Sequence, residues 1–383
     1  MITKLSVRNY KSLRSLDLPL RPLTVFVGAN GSGKSNIIDS LMLQADLTNM
    51  GSGAIESRGG FGDLVWDGDT RRTISFGFEG RISREPAGHD TYKYDLEFSG
   101  GPNGHAVKNE RLVIKRPDGL HPAIEFDPEQ NFAQVFSDAG TSLGRVLSGD
   151  RQQPFLRTAS SFSETDLAGR FPRFVSEWTK YSFDLEAIKR RPGPARRAKR
   201  LSINGDNLAA VLHTLQTENA EQFARFNTLI QTVMPEVLNV YTRLTEQSTT
   251  LIRLKERGLD FETPMWAMSD GTIHTMCIIA ALYAPEPPPV LCFEEPENYV
   301  HPRVLDVLAE TFREVADTTQ ILVTTHSPYL LDLLEPSDVV VVDKVDGATV
   351  ATPATKKKGL RPAMEALGLG ETWFTGSIGG VPE

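Results

Sequence analysis

The chain has only two cysteines among 383 residues, Cys277 and Cys292, and they form no CxxC pair. That excludes a disulfide framework or a zinc knuckle; both thiols fall in apolar runs, where buried free cysteines are expected. No apolar run reaches the roughly 18–20 residues needed to span a bilayer, and the longest apolar-rich stretch, 275–284, is far shorter. The opening Met-Ile-Thr-Lys-Leu-Ser-Val lacks the apolar core of a secretion signal. A cytoplasmic location without membrane contact is expected. An excess of positive charge is also missing, because 41 Lys+Arg stand against 49 Asp+Glu and the net charge is −8. Overall charge therefore gives no indication of nucleic-acid binding. Internal repeats and sustained heptads are absent, which excludes a solenoid and a long coiled coil.

With 40% hydrophobic and 23% charged residues, the composition is that of a globular protein. The length suits two to three domains, or one large domain with insertions. Two strand-like pieces, 2–7 and 23–27, precede a glycine-rich turn, and Ile37, Ile38, Leu41 and Leu43 then follow helical spacing. Alternating runs at 73–78, 92–98 and 111–115, separated by Gly, Pro and Asp, predict an antiparallel meander. From about 130 to 235 helical spacing takes over, as at 207–215, and strand-like alternation returns at 236–262. Short apolar strands at 290–293, 321–325 and 339–342, with a helix at 304–315, give α/β order. The expected division is 1–128 for the first half of a head domain, 129–235 for a mostly helical insertion, 236–345 for the second half, and 346–383 for a tail.

Gly28-Ala-Asn-Gly-Ser-Gly33-Lys34-Ser35 matches GxxxxGK[ST] between a strand and a helix. Glycines let backbone N–H groups turn inward around phosphate oxygens, and the helix N-terminus adds its positive end. Lys34 is then expected on the β/γ-phosphates and Ser35 on Mg²⁺. The nucleotide-binding residues expected here are Gly28, Asn30, Gly31, Ser32, Gly33, Lys34, Ser35 and Asn36, with ATP and Mg²⁺ as cofactors. An apolar strand at 290–293 ends in Glu294-Glu295. Alone, such a pair reads as a solvated turn. Downstream of a phosphate loop, one acid can hold Mg²⁺ through water and the second can take a proton from the attacking water. Ser269-Asp-Gly-Thr272 precedes an apolar helix and reads as its N-cap. Thr324-Thr-His326-Ser-Pro328 closes the next apolar strand.

In this order, GANGSGKS, SDGT, FEEPENYVHP and TTHSP resemble the ABC-type ATPase heads of the SMC, RecF and OLD (overcoming lysogenization defect) group, over 1–80 and 236–345. NGDNLAAVLHTL at 204–215 is also similar to predicted ATPases near the OLD proteins. The resemblance implies an α/β P-loop NTPase of ABC type with an antiparallel β subdomain and a mostly helical insertion. It implies a homodimer closed head to head around two ATPs. Ser269, Asp270 and Gly271 would bind nucleotide, with Ser269 and Gly271 reaching the γ-phosphate on the partner's loop. Glu294 would be the Mg²⁺ acid, Glu295 the catalytic base and His326 the γ-phosphate sensor. The sequence departs from transporter heads in the MSDGT signature, in Asn298 and His301, and in the lack of any glutamine across 45–100, including the loop at 59–66 where a Q-loop is expected. The 57 residues after His326 contain no DxD motif, so no nuclease is expected within this chain.

Two functional readings follow. In the first, an ATP-driven switch controls a partner effector, such as a separately encoded nuclease or toxin in genome maintenance or phage defence. In the second, a RecF-like ATPase acts directly on DNA. The candidate DNA contact is 189–200, KRRPGPARRAKR, which has seven basic residues and no acidic one; its other reading is a solvated linker. A small-molecule P-loop kinase and a transporter head fit less well. Lys356, Lys357 and Lys358 read as solvated, and Trp373-Phe374 as either a docking tail or packing on the chain itself.

Overall fold

The computed structural model describes residues 1–83, 88–101, 104–116, 119–127, 132–147, 151–159, 161–163, 165–190 and 193–381. Strands β1 (Ile2–Tyr10) and β2 (Leu13–Pro19) form a hairpin, and β3 (Leu23–Val27) is buried along its whole length. Helix α1 (Lys34–Met50) follows the glycine loop, with the short α2 (Gly53–Glu56) and α3 (Phe61–Leu64) after it. The expected meander is β4 (Thr73–Ser83), β5 (His89–Gly101), β6 (Gly104–Arg116), β7 (Gly119–Asp127), β8 (Phe132–Phe136) and β9 (Ser142–Leu147). The last two strands lie past residue 128, inside the stretch expected to be helical. They pair antiparallel with their neighbours, and the buried Phe132, Ala133 and Val135 form too short and too irregular a run to register as a period. The boundary at 128–129 itself falls outside the described residues.

The helical stretch starts only at α4 (Phe155–Ala159) and α5 (Leu167–Ser176). It is broken by β10 (Thr179–Tyr181), α6 (Leu185–Arg190) and β11 (Gly193–Pro194), and it continues with α7 (Leu208–Glu218) and α8 (Ala220–Val233). Strands β12 (Val237–Leu244), β13 (Thr249–Glu256) and β14 (Thr263–Pro264) lead to α9 (Asp270–Leu282). Next come β15 (Val290–Glu294), α10 (Pro302–Val315), β16 (Gln320–Thr325) and α11 (Pro328–Asp332). The chain ends in the hairpin β17 (Val339–Val345) and β18 (Ala348–Pro353), then α12 (Leu360–Ala366) and α13 (Leu369–Phe374).

Two compact units result. The first comprises 1–178, 340–358 and 378–383. Its meander has strand order β2-β1-β4-β5-β6-β7-β8-β9, and β3 neighbours the β17–β18 hairpin. The meander alternates inward and outward side chains, as a sheet with one covered face requires. Helix α5 covers that face: the Phe171 ring lies 4.7 Å from Tyr92 and 5.2 Å from Tyr94, and Trp178 meets Phe78 edge-on at 5.6 Å.

The second unit comprises 179–339 and 359–377. Here β10, β15 and β16 are parallel neighbours, and β11, β13 and β12 form a small antiparallel sheet. Helix α9 is buried on nearly every face, consistent with its unbroken apolar run. Cys277 and Cys292 are buried and free, and burial pushes both thiols well above the ordinary cysteine range. Among the described residues no helix is long and apolar enough to cross a membrane. The tail is folded: Trp373 is buried while Phe374 is exposed, and Gly370 N–H donates to Asp332 at 2.7 Å. A Cβ on Gly370 would stand 1.9 Å from the Pro328 carbonyl, so α13 sits against α11 only because residue 370 has no side chain. Lys357, in the first unit, is held by Asp343 at 2.7 Å, so that lysine of the expected solvated run has a fixed partner.

Candidate phosphate loop and carboxylate site

In the first unit, β3 delivers the chain into 28–33 and α1 leaves it at Lys34. Gly31 and Gly33 have φ of +76° and +106°, which side-chain-bearing residues resist. A Cβ on Gly28 would come within 2.2 Å of the Val342 carbonyl, and one on Gly33 within 1.9 Å of the Thr349 hydroxyl. The loop is therefore pressed against β17 and β18. Lys34 is nearly buried and donates from Nζ to the carbonyls of Gly28 at 2.8 Å and Ala29 at 3.0 Å. Gly31, Asn30 and Ser35 are exposed on the outer side. The Ser32 hydroxyl is buried without a hydrogen-bond partner.

Sequence reasoning missed the residues that brace this loop. The Thr349 hydroxyl donates to the Ser32 carbonyl at 2.8 Å and shares a 2.7 Å hydrogen bond with the Ser12 hydroxyl. The Asn36 amide, expected at the nucleotide, donates to that same Ser12 oxygen at 2.7 Å. One turn along α1, Asp39 takes Tyr10 and Lys11, each at 2.5 Å, and Arg58 at 2.9 Å. Burial opposes charge on Asp39, but these donors hold its carboxyl below the usual carboxylate range.

In the second unit, the buried strand β15 ends at Glu294. One carboxylate oxygen, Oε2, accepts from Lys180 Nζ at 3.0 Å, while Oε1 is buried without a partner. Glu295 has a left-handed backbone with φ +47°, a costly conformation for a side-chain-bearing residue. Its N–H donates to the Thr324 carbonyl at 2.9 Å, fixing it beside β16. Its carboxylate accepts from the Asn298 amide at 3.0 Å and lies 3.5 Å from His326 Nε2. The two expected catalytic residues are thus brought together, with Asn298 as a third member.

Glu297 is a further residue that the sequence did not reveal. Its Oε1 accepts from the Thr325 hydroxyl at 2.6 Å and from His326 N–H at 2.8 Å, and its Oε2 is buried without a partner. Burial raises its pKa above the usual range against these two bonds. The signature lies nearby in this unit. The Ser269 hydroxyl caps α9 by accepting from Thr272 N–H at 3.1 Å, and a Cβ on Gly271 would meet the Tyr299 carbonyl at 2.3 Å. Asp270 pairs with Lys189. His274, on α9, is 9% exposed, and burial lowers its pKa to about 4.

In the described part of the basic stretch, four basic residues face carboxylates. Besides Lys189, Arg190 pairs with Glu186, Arg197 with Glu218 and Lys199 with Glu286; Arg191 lies outside the described residues. The loop at 59–66 supplies no glutamine, and the side chain set beside Glu294 is Lys180.

The residues suit a nucleoside triphosphate with Mg²⁺. In the first unit, Ser35 offers a hard oxygen of the type Mg²⁺ prefers, the Ser32 hydroxyl is buried without a partner, and a Cβ at Gly28 or Gly33 would drive the loop off Val342 or Thr349; in the second unit, Glu294 offers a further hard oxygen, with Oε1 buried and unpartnered.

A family model described as "AAA domain, putative AbiEii toxin, Type IV TA system" matches residues 23–332. The OLD nuclease of Thermus scotoductus is 24% identical over 377 residues, covering 92% of this chain and 64% of that protein. The Old nuclease of Escherichia phage P2 is 21% identical over 400 residues, covering 93% of this chain and 61% of that protein. The chain thus spans less than two thirds of the length of these curated relatives. Among solved structures, an Smc head bound to the C-winged helix domain of ScpA superposes with a TM-score of 0.50 at 15% identity, covering 92% of this chain and 96% of that one. An Smc head domain with an extended coiled coil, bound to the C-terminal domain of ScpA derived from Pyrococcus furiosus, gives 0.51 at 16% identity, covering 95% and 98%. These likenesses show the fold, that of a P-loop NTPase head of ABC type.

Proposed function

The chain belongs to the AAA-domain family matched over residues 23–332, and on that premise we propose that it binds and hydrolyses ATP as a switch, closing head to head with a second copy around two nucleotides and so controlling a partner effector. The observation that carries this reading is the placement of Glu295, whose carboxylate lies between the Asn298 amide and the His326 imidazole on a left-handed backbone. Strain of this kind persists where surrounding contacts enforce it, and it clusters at sites of chemistry.

In this reading Lys34 leaves the carbonyls of Gly28 and Ala29 for phosphate oxygens, which are stronger acceptors because they are charged. Ser35 and Glu294 are the residues that would each offer an oxygen to Mg²⁺, and the ion would supply positive charge to offset the phosphates. Glu295 takes the proton of the attacking water on a carboxylate oxygen as the water oxygen bonds to the γ-phosphorus and ADP leaves. Asn298 and His326 orient that carboxylate, and Glu297 fixes His326 through its N–H. Ser269 and Gly271 bind the γ-phosphate held by the second copy, so hydrolysis weakens the closed state. The longer OLD nucleases at 24% and 21% identity support an effector of nucleic-acid chemistry, for which we propose a setting in DNA maintenance or phage defence. Direct action on DNA through 189–200 is the weaker reading, because Lys189, Arg190, Arg197 and Lys199 already face carboxylates. The test is Lys34→Ala: nucleotide binding and turnover are expected to vanish while circular dichroism stays that of the wild type. Unchanged turnover would refute the phosphate-loop reading.

A further inference from the structure

We propose that Lys180 is a resident counter-cation on Glu294, which keeps a divalent ion off that carboxylate until nucleotide phosphates supply further ligands. The proposal rests on the metal-binding role given to Glu294 above.

Strand β10 runs parallel to β15 with Lys180 opposite Cys292, so the lysine side chain reaches forward along the sheet edge to Glu294 Oε2 at 3.0 Å. It leaves Oε1 buried and without a partner. The carboxylate is therefore divided, with one oxygen neutralised by the chain's own ammonium and the other left without a partner. The side chains are 34% and 31% exposed, and an ion pair so exposed contributes little to stability. Its consequence lies in the local field.

Glu294 and Glu295 line a cavity of about 490 Å³ together with Asp184, Glu186 and Asp270. Of these acids, Asp270 is engaged by Lys189 and Glu186 by Arg190. The charge of Asp184 and Glu295 beside Glu294 still attracts divalent ions. An ammonium on Glu294 opposes that attraction, because a divalent ion on Oε1 would sit only a few ångströms from Nζ. With a fully solvated dielectric, repulsion between a divalent and a monovalent charge at about 5 Å already corresponds to roughly a tenfold change in affinity. Phosphate oxygens reverse the balance by adding negative ligands to the ion, and Lys180 then becomes the weaker partner of Glu294. The site would in this way bind metal only with nucleotide.

The experiment is a Mn²⁺ titration of the full chain by electron paramagnetic resonance, without nucleotide and then with ADP. It compares wild type with Lys180→Met, Lys180→Gln, Lys180→Arg, Glu294→Gln and the double variant Lys180→Met/Glu294→Gln. Without nucleotide, Lys180→Met and Lys180→Gln are expected to bind Mn²⁺ about tenfold more tightly than wild type. Lys180→Arg should match wild type, and the double variant should lose the gain. With ADP the difference should shrink. If both uncharged variants bind Mn²⁺ no better than wild type while Glu294→Gln weakens binding, Glu294 is a ligand and Lys180 does not compete for it. If Glu294→Gln changes nothing with or without ADP, the metal role of Glu294 fails and the proposal falls with it. Thermal melting of each variant verifies the fold, and the Gln variant decides the matter if Met disturbs it.

Discussion

Thr349→Val tests the brace behind the phosphate loop. Valine keeps the shape of threonine but removes the hydroxyl that donates to the Ser32 carbonyl at 2.8 Å and meets Ser12 at 2.7 Å. Thr349 is 1% exposed, so water cannot replace the lost donor. Leaving a buried carbonyl unpaired costs about 1–3 kcal/mol; Ser12 keeps the Asn36 amide, so its share is small. A total near 2 kcal/mol is expected. For a unit of roughly 150–250 residues each kcal/mol shifts the midpoint by about 2–4 °C, so the melting of the first unit should fall by about 4–8 °C. Because the released carbonyl belongs to the loop itself, affinity for a fluorescent ATP analogue should also drop, by about tenfold if 1.4 kcal/mol of the cost appears in binding. Thr349→Ser is the control: it keeps the hydroxyl, loses about one buried methyl group, and should retain nucleotide affinity. Equal nucleotide affinity in the two variants, or a Thr349→Val melting shift under 1 °C, would refute the bracing argument.

Glu297→Ala removes the acceptor of Thr325 Oγ1 and His326 N–H, and should cut ATP turnover at least tenfold with little change in nucleotide affinity. Glu297→Gln keeps an acceptor oxygen and should lose far less; equal losses in steady-state assays would remove the positioning role. Glu110 is fully buried, accepts the N–H groups of Phe155 and Leu156 and the Tyr94 hydroxyl, and is raised by burial to about 7. Since its folded pKa lies above the unfolded value of 4.5, its stabilising contribution is complete below pH 4.5 and declines as pH rises toward 7, by about 3 kcal/mol. Urea unfolding of wild type against Glu110→Gln at pH 5 and pH 8 checks this, and a pH-independent difference contradicts it. Replacing Arg190, Arg196, Arg197, Lys199 and Arg200 with glutamine should leave the salt dependence of any DNA binding within one charge of wild type, as measured by fluorescence anisotropy; a steep fall in slope would restore the direct DNA reading.

The phosphate loop, Glu294, Glu295, Ser269 and His326 were legible because each sits in a short contiguous motif beside an apolar run, where chemistry and periodicity coincide. Ser12 and Thr349 were not, because they are single hydroxyls 337 positions apart and no local pattern links them. Lys180 was hidden for a related reason. Its strand has three residues, too few to show a period, and its partner lies 114 positions away. Glu297 stood inside a motif already recognised, but burial and an unpaired oxygen mark it only once β16 is in place. The meander's final strands, β8 and β9, fall in the stretch expected to be helical because no long alternating run announces them. The basic stretch looked uncompensated in sequence because its carboxylate partners, Glu218, Glu286 and Asp270, lie in distant segments.

In the proposed mechanism ATP closes two heads and Glu295 reopens them. Light scattering of Glu295→Gln with and without ATP and Mg²⁺ measures this most directly. Glutamine can still hydrogen-bond but cannot take the water's proton, so turnover should fall about 100- to 10,000-fold. The mass should double with ATP, and Ser269→Arg added to Glu295→Gln should abolish the doubling. A slow Glu295→Gln variant whose mass is the same with and without ATP would contradict head-to-head closure.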